Sequence, residues 1–328
     1  MKAAWFSETG PAREVLRVGE MDRPEPGAGE VLVRVHASGV NPSDVKKRAG
    51  AQPPGFRDGF VIPHSDGAGV IEAVGAGVPE ERIGTRVWVY QAQYQRHWGT
   101  AAEYVALAGL RAAPLPDNCP FEVGALAGIP MMTAHRCVFA DGDVDGKSVL
   151  VTGASGRVGF YAAQWAKRAG AMVIGTAGSE HRIAEARRTG ADHILDYTRD
   201  DLTEAILDLT AGQGVDRIVD VEMGQNIRTS AEVLKVGGVV STYSSSRAMN
   251  PEIPFYPLMF KNITLQMVLV YNMAEGAKTQ ARKDIHEALS EDALVHRIAK
   301  TFPLEETAAA HEAIEGGGAD GCVVVAVR

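Results

Sequence analysis

The chain has 328 residues, 45% of them hydrophobic and 23% charged, and its formal net charge at pH 7 is −8. This composition is typical of a globular enzyme and excludes a disordered chain, and the acidic balance does not favour a nucleic-acid partner. The first residues lose their apolar character too soon for a signal peptide, and no apolar run approaches the roughly 18 residues of a membrane span, so no membrane is expected.

The first part of the chain has the pattern of a β domain. Short runs rich in valine and alanine are separated by Gly/Pro clusters such as "RPEPGAGE" and "QPPGFRDG". This pattern predicts strands joined by turns, and a compact β-barrel-like domain. The predicted strands are "KAAWF", "VLVRVHASGV", "AGVIEAVG", "RVWVYQ" and "AAEYVAL".

Near residue 123 the pattern changes to alternating strands and helices, beginning with the strand "SVLVTG" and the helix "RVGFYAAQWAKRAG". Such alternation predicts a parallel sheet that is covered on both faces. After about residue 272 come two helices and the strand "GCVVVAVR", which resumes the earlier β pattern. We therefore predict one domain from residues 1–122 and 273–328, and a second from residues 123–272.

The stretch "VLVTGASGRVG" combines a strand, a glycine turn and a helix. Gly156 and Gly159 occupy the second and third places of the dinucleotide fingerprint, and Ala154 occupies the first, directly after Gly153. Small residues are needed here because the turn is tight and its backbone approaches the pyrophosphate. The flanking strands and helix are the context that supports a nucleotide-binding turn. Arg157 either adds charge beside the pyrophosphate or is solvated.

No acidic residue follows the second predicted strand of this region, "MVIGTAG". NAD-binding proteins usually carry an acid there, which bonds the ribose 2′-hydroxyl. The place is taken by Ala177, with Ser179 and Arg182 after it. The absence of an acid and the presence of a nearby cation favour NADPH, whose 2′-phosphate an acid would repel. Arg182 is alternatively an exposed helix residue.

With these residues established, the chain resembles the zinc-free quinone oxidoreductases, the zeta-crystallin-like branch of the medium-chain dehydrogenase/reductase superfamily. The likeness covers nearly the whole chain and includes "VLVRVHASGVNPSD", "SDGAGVIEAVG", "AGIPMMTAHR", "VLVTGASGRVG", "GTAGSEHR", "GADHILDY" and "FKNITLQ". The resemblance implies an α/β fold in which a GroES-like β-barrel catalytic domain, closed by the C-terminal segment, is joined to a Rossmann domain with a doubly wound parallel sheet.

The resemblance also implies roles for individual residues. It places Asn41 and Thr133 beside the nicotinamide, as the catalytic residues. Tyr197 is alternatively a core aromatic. The residues that the resemblance and the glycine turn assign to the cofactor are Gly153, Ala154, Ser155, Gly156, Arg157, Val158, Gly159, Ser179, Arg182, Tyr197, Ser244 and Ser245.

Zinc-dependent relatives carry a catalytic Cys, His and Cys. The corresponding places in this chain are Asn41, Ser65 and Ile129. These residues are a poor ligand set, and isoleucine has no donor atom for a metal. His64 is one residue from a ligand place, but a step of one residue turns a side chain elsewhere. We therefore expect no metal.

The chain departs from its relatives at two places that bear on the substrate. Lys46 stands where some relatives have a tyrosine, and it either binds an anionic substrate or points to water. Residues 91–98 are longer and more aromatic than in many relatives. This segment is either a lid over the substrate or a surface loop with Trp98 packed inward.

Three functions are compatible with these residues. The first is an NADPH-dependent reductase that transfers hydride to quinones, in which the Asn41 amide or the Thr133 hydroxyl stabilises developing oxyanion charge. The second is a reductase of the double bond of an enone, alkenal or enoyl thioester. The third is a non-catalytic NADPH-binding protein.

The three cysteines, Cys119, Cys137 and Cys322, share no short spacing. They predict neither a disulfide framework nor a zinc motif, so a reducing, cytoplasmic setting is expected.

The segment "FKNITLQMVLVY", residues 260–271, is an apolar run with few charges that we interpret as extended. As a free sheet edge it would pair with another chain. The resemblance implies that it joins two subunits in a homodimer. The alternative is a buried central strand.

Overall fold

The computed structural model describes residues 1–51 and 59–328; residues 52–58, in the Gly/Pro cluster "QPPGFRDG", lie outside this part. The strands are β1 Lys2–Trp5, β2 Arg17–Glu20, β3 Glu30–Val40, β4 Asp66–Val74, β5 Arg86–Val89, β6 Tyr104–Ala108, β7 Ala112–Pro114, β8 Ser148–Val151, β9 Met172–Ala177, β10 His193–Asp196, β11 Val215–Asp220, β12 Leu234–Thr242, β13 Thr264–Met267, β14 Ile298–Pro303 and β15 Cys322–Ala326. The α-helices are α1 Ala12–Val15, α2 Pro42–Arg48, α3 Phe121–Gly124, α4 Met132–Phe139, α5 Arg157–Arg168, α6 Glu180–Arg187, α7 Leu202–Leu209, α8 Met223–Val233, α9 Phe255–Phe260, α10 Glu275–Ser290 and α11 Thr307–Glu315.

The chain divides into two compact units. The first unit comprises Met1–Ile129 and Arg282–Arg328, and the second comprises Pro130–Ala281. The boundaries predicted from the sequence lie slightly earlier, after residues 122 and 272. Helix α3 belongs to the first unit because it packs on β3 and β4. Among residues 1–51 and 59–328, no helix combines the length and the apolarity that a bilayer crossing requires.

The first unit is built on a seven-stranded sheet with the order β14-β15-β3-β4-β5-β7, in which β6 also pairs with β3. Alternate residues of β3, Val31, Val33 and Val35, are fully buried and form a core cluster with strands β4 to β7. This alternation is what a strand with one face on a core requires. Strand β15 pairs antiparallel with β3, with Val323 opposite Val40. The predicted return of the last strand to the first domain is thereby confirmed.

The second unit contains a six-stranded parallel sheet with the order β10-β9-β8-β11-β12-β13. In order of appearance this is 3-2-1-4-5-6, the doubly wound order of dinucleotide-binding folds. The predicted doubly wound parallel sheet is confirmed. The strand order reverses between β8 and β11, and ligands of such sheets bind outside the carboxyl ends of the strands at this switch point.

The segment 260–271 is only partly extended. Phe260 ends helix α9, and Val270–Asn272 form a 3-10 turn. The chain leaves the helix through Asn262, whose positive φ of 50° ends the helix in the left-handed region. The extended interpretation is therefore wrong at both ends of the segment. Strand β13 pairs with β12 alone among the described strands, so the alternative of a central strand is also wrong.

Candidate active site

The glycine turn between β8 and α5 is closed by close backbone contacts. Gly153 has a φ of 64°, which favours glycine. The Gly156 N–H donates to the Gly153 carbonyl at 2.8 Å. A Cβ on Gly159 would lie 2.3 Å from the same carbonyl oxygen, so any side chain there would push the helix away from the turn. Glycine is thus required at both ends of the turn.

The first residues of the turn are fastened to the neighbouring strand β9. The Ala154 N–H donates to Thr176 O at 2.9 Å, and the Gly153 N–H donates to Thr176 Oγ1 at 3.1 Å. These two N–H groups are therefore occupied. The N–H groups of Val158 and Gly159, in the first turn of α5, have no partner within their helix and lie at its positive end. This arrangement fits a diphosphate.

Three predicted adenosine-site residues come together at the carboxyl ends of β9 and β10. Ser179 caps helix α6, because its Oγ accepts the Arg182 N–H at 3.3 Å. The Tyr197 N–H donates to Ala177 O at 3.1 Å. A Cβ on Gly178 would lie 2.3 Å from Tyr197 Oη, so the phenol lies against this glycine. Tyr197 is 44% exposed, which rules out the core-aromatic interpretation.

The loop after β12 is fastened to the start of α8. Ser244 O accepts the Met223 N–H at 3.1 Å, and Ser245 Oγ accepts the Gly224 N–H at 3.0 Å. Both serines therefore hold the loop in place.

Sequence reasoning missed Glu222, whose carboxylate accepts the N–H groups of Ser246 and Arg247 at 2.9 and 3.0 Å. An acidic residue two positions after the end of β11 was the signal available.

Thr133 lies in the second unit, on helix α4, which packs on α5, β11 and β12. Its side chain is buried. Sequence reasoning also missed Asp220, which ends β11 at the switch point. Its Oδ1 accepts from Thr152 Oγ1 and from Asn226 Nδ2, both at 2.8 Å. Asp220 thus ties the end of β11 to the end of β8.

Asn41 lies in the first unit, between the end of β3 and the start of α2, and is buried. Its backbone N–H donates to Asp44 Oδ2 at 2.8 Å, and its side-chain Nδ2 donates to Asp66 Oδ2 at 2.9 Å. The same oxygen of Asp66 also accepts the Ile129 N–H at 2.8 Å. The side-chain amide of Asn41 therefore bonds Asp66, and the Asn41 side chain also interacts with Asp44.

A buried charge cluster surrounds Asn41. Burial raises the pKa of Asp44 to about 6. Burial and the neighbouring Asp44 raise the pKa of Asp66 well above its usual range. Burial also lowers the pKa of Lys47, whose Nζ donates to Gln93 Oε1 at 2.6 Å. The sequence analysis considered only the neighbouring Lys46, which is exposed, in agreement with the alternative that it points to water.

At the positions where zinc-dependent relatives have their zinc ligands, the side chains of this chain and their neighbours make other interactions. His64, next to Ser65, is fully buried, with its Nδ1 2.8 Å from Ser38 Oγ and its Nε2 3.0 Å from His311 Nε2. It therefore has a structural role. Among the residues that the structure describes, no three His, Cys, Asp or Glu side chains form a group suited to a metal ion.

Residues 91–98 are packed against the first unit. Arg96 donates to the carbonyl of Ala106, and Gln93 Nε2 donates to Arg96 O at 2.7 Å. Trp98 is partly buried against a core cluster and meets Phe60 edge-on, with 5.5 Å between ring centroids. The structure therefore matches the surface loop with Trp98 inward, and not a lid.

Comparisons with known proteins agree with this architecture. The alcohol dehydrogenase GroES-like domain matches residues 27–117, and the zinc-binding dehydrogenase family matches residues 158–291. The chain is 32% identical over 326 residues to the quinone oxidoreductase of Homo sapiens, covering 98% of this chain and 95% of that protein. It is 33% identical over 197 residues to a trans-enoyl reductase of Aspergillus terreus, covering 56% of this chain and 64% of that protein. A mycobacterial protein solved in complex with NADPH has a TM-score of 0.85 and 28% identity, covering 99% of this chain and 100% of that one. The predicted combination of a GroES-like and a Rossmann domain is confirmed.

Proposed function

Because the chain belongs to the quinone oxidoreductases of the medium-chain dehydrogenase/reductase superfamily, we propose that it is an NADPH-dependent, zinc-independent enzyme that reduces quinones. The observation that carries this proposal is the glycine turn at the carboxyl end of β8, beside the switch point of the sheet. When bound, NADPH supplies the hydride. A quinone accepts hydride readily, so the protein's own task is to bind, orient and stabilise charge.

We assign the diphosphate to the main chain at the start of α5, where Val158 and Gly159 offer N–H groups. The 2′-phosphate is assigned to Ser179, Arg182 and Tyr197, which offer two hydroxyl donors and one cation. Arg182 is exposed on the first turn of α6, and β9 ends in Ala177 rather than in an acid. A phosphate dianion gains charge-assisted hydrogen bonds from such a set, which supports NADPH over NADH.

We assign the stabilisation of oxyanion charge on the substrate to the side-chain amide of Asn41 and to the hydroxyl of Thr133. A positioned donor of this kind typically contributes about 10²–10³-fold to kcat. Zinc is not needed in this scheme. Its absence is supported by the ligand places, because the Asn41 amide nitrogen already donates to Asp66 and Ile129 offers no side-chain donor.

The test is a steady-state comparison of NADPH and NADH with a benzoquinone, an enone and a crotonyl thioester. We expect the highest kcat/KM with NADPH and the quinone, unchanged after dialysis against a chelator. Turnover of the enone or thioester in preference to the quinone would support a double-bond reductase, the class to which the Aspergillus terreus relative belongs by its name. NADPH binding without turnover of any acceptor would support a non-catalytic protein.

We also propose that the chain forms a homodimer through the β13 edge. Among the strands of residues 1–51 and 59–328, β13 pairs on one side only, and large apolar side chains on it and on the segment before it are exposed. An unpaired strand edge within an apolar patch favours pairing with a second copy. The exposed side chains are those of Met249, Ile253, Phe255, Tyr256, Met259, Phe260, Met267 and Leu269. Analytical ultracentrifugation tests the assembly.

A cytoplasmic location is part of the same proposal. The three cysteines are buried free thiols without a disulfide, which supports a reducing setting. Fractionation of cells that express the chain tests this location.

A further inference from the structure

We propose that Asp66 is a positioning residue, which holds the side-chain amide of Asn41 in a single orientation toward the substrate. This inference rests on the proposed quinone reductase activity, in which Asn41 stabilises charge on the acceptor. Asp66 begins strand β4, 25 residues from Asn41 along the chain, and both residues are buried. The geometry around the carboxylate carries the inference in three steps.

The first step concerns which end of the Asn41 amide faces Asp66. The Oδ2 atom of Asp66 receives the Ile129 backbone N–H at 2.8 Å, and a backbone N–H can only donate. Oδ2 is therefore an acceptor whether or not Asp66 carries a proton on its other oxygen. When Asp66 is ionised, the Asn41 atom 2.9 Å from Oδ2 is the nitrogen, because a flipped amide would bring two acceptors together. Asp66 thus selects one of the two amide orientations.

The second step concerns stability. Asp66 is fully buried, and its Oδ1 has no hydrogen-bond partner among the described residues. An unsatisfied buried polar group costs about 1–3 kcal/mol, and more when it is charged. A carboxyl group at this place is therefore not explained by stability. The hydrogen bonds from the Ile129 N–H and from the Asn41 amide are the features that only a polar side chain could supply, and only the second acts on a proposed catalytic side chain.

The third step concerns the space around the carboxylate. A Cβ on Gly128 would lie 2.1 Å from Asp66 Oδ1, and a Cβ on Gly39 would lie 3.3 Å from Asp66 Cβ. The carboxylate therefore lies in a space that Gly128 leaves open, and Gly39 lies beside the Asp66 Cβ. Asp44 bonds the Asn41 backbone N–H at 2.8 Å, so the asparagine is held at its main chain as well as at its side chain.

The first experiment is a double-mutant cycle on kcat with NADPH and a benzoquinone, using N41A, D66A and the double variant. We expect N41A to lower kcat by about 10²-fold or more, as the loss of an oxyanion donor does. D66A should lower kcat by about tenfold or more, with the KM for NADPH within about twofold of wild type. Adding D66A to N41A should change kcat by less than about threefold, because coupled residues act as a unit. If the loss of kcat in the double variant equals the product of the losses in N41A and D66A, the two residues act independently and the inference is overturned.

Two further variants distinguish a positioning role of Asp66 from a defect in folding: one is conservative, and the other displaces the carboxylate. D66N keeps an acceptor for both N–H groups and should retain most of the wild-type kcat. G128A keeps both Asn41 and Asp66, but its methyl must displace the carboxylate, so kcat should fall as in D66A. Thermal melting is measured for every variant. If D66A does not fold, G128A replaces it in the double-mutant cycle, and kcat is measured for N41A, G128A and the variant that combines them.

A readout that does not depend on turnover keeps the inference separate from the proposed function. The chain has six asparagines, so a spectrum of the enzyme labelled with ¹⁵N-asparagine has few side-chain amide signals. The Asn41 signal is the one that disappears in N41A. We expect it to be shifted downfield and protected from exchange in the wild type and in D66N, and to lose both properties in G128A. An unchanged Asn41 signal in G128A would contradict the positioning role, even if the wild-type enzyme turned over no quinone.

Discussion

Two glycines of the turn, Gly156 and Gly159, should respond differently to the same added methyl group. In Gly159→Ala the methyl would lie 2.3 Å from Gly153 O, below the 3.0 Å that such contacts tolerate, so the helix must move by at least 0.7 Å. Overpacking of this kind costs about 1–3 kcal/mol. In Gly156→Ala the nearest atom, Gly153 O, lies at 3.1 Å and the φ of −76° suits alanine, so the free energy of unfolding should fall by less than in Gly159→Ala.

Binding of NADPH should nevertheless suffer in both variants. Gly156 is exposed at the start of α5, where the diphosphate is proposed to lie against the main chain, and a methyl there obstructs that approach. We expect its Kd for NADPH to rise at least about tenfold, or about 1.4 kcal/mol, while its melting temperature stays near that of the wild type. Fluorescence titration with NADPH and thermal melting measure the two effects. Wild-type affinity in Gly156→Ala would refute the placement of the diphosphate.

Three further results are expected. Arg182→Ala should raise the Kd for NADPH about tenfold or more and leave the Kd for NADH unchanged, whereas equal effects on both cofactors in titrations would rule out a 2′-phosphate contact. Burial lowers the pKa of His64 to about 3, and burial with the neighbouring His64 and Arg48 lowers that of His311. The unfolded chain therefore binds more protons than the folded chain below about pH 6.5. The free energy of unfolding should fall as the pH decreases, by up to about 1.4 kcal/mol per pH unit for each imidazole. Chemical denaturation at a series of pH values measures this dependence, and an equally steep dependence in His311→Leu would contradict the assignment. Met267→Lys, on the exposed β13 edge, should shift the sedimentation coefficient from dimer to monomer with NADPH affinity retained, and an unchanged dimer would place the interface elsewhere.

The parts of the fold that follow local rules could be predicted from the sequence. The strand, glycine turn and helix around Gly156 form a continuous stretch, and tight turns limit which residues they accept. The return of β15 to the first unit was visible because its pattern matched the earlier strands. The segment 260–271 misled the prediction because an apolar run without a clear period does not distinguish a strand from a short helix end.

The side chains around Asn41 could not be found in the same way. Asp66 meets Asn41 across 25 residues and Ile129 across 63 residues, so the contact exists only after the strands have paired. Lys46 and Lys47 differ by one residue on a helix, which turns them by about 100°. Which of the two faces inward depends on how α2 packs, and the sequence around them does not decide it.

Strand β15 lies between β14 and β3, although the whole second unit separates it from β3 along the chain. During translation, residues 130–281 leave the ribosome before β15 is made, so the inserted unit can close its own sheet while residues 37–40 of β3 still lack the neighbour that β15 provides. Unpaired strand edges of this kind attract other chains. A nascent polypeptide stalled before residue 322 would therefore have a complete six-stranded sheet in its second unit. In its first unit, the end of β3 that pairs with β15 would remain open to pairing with another chain.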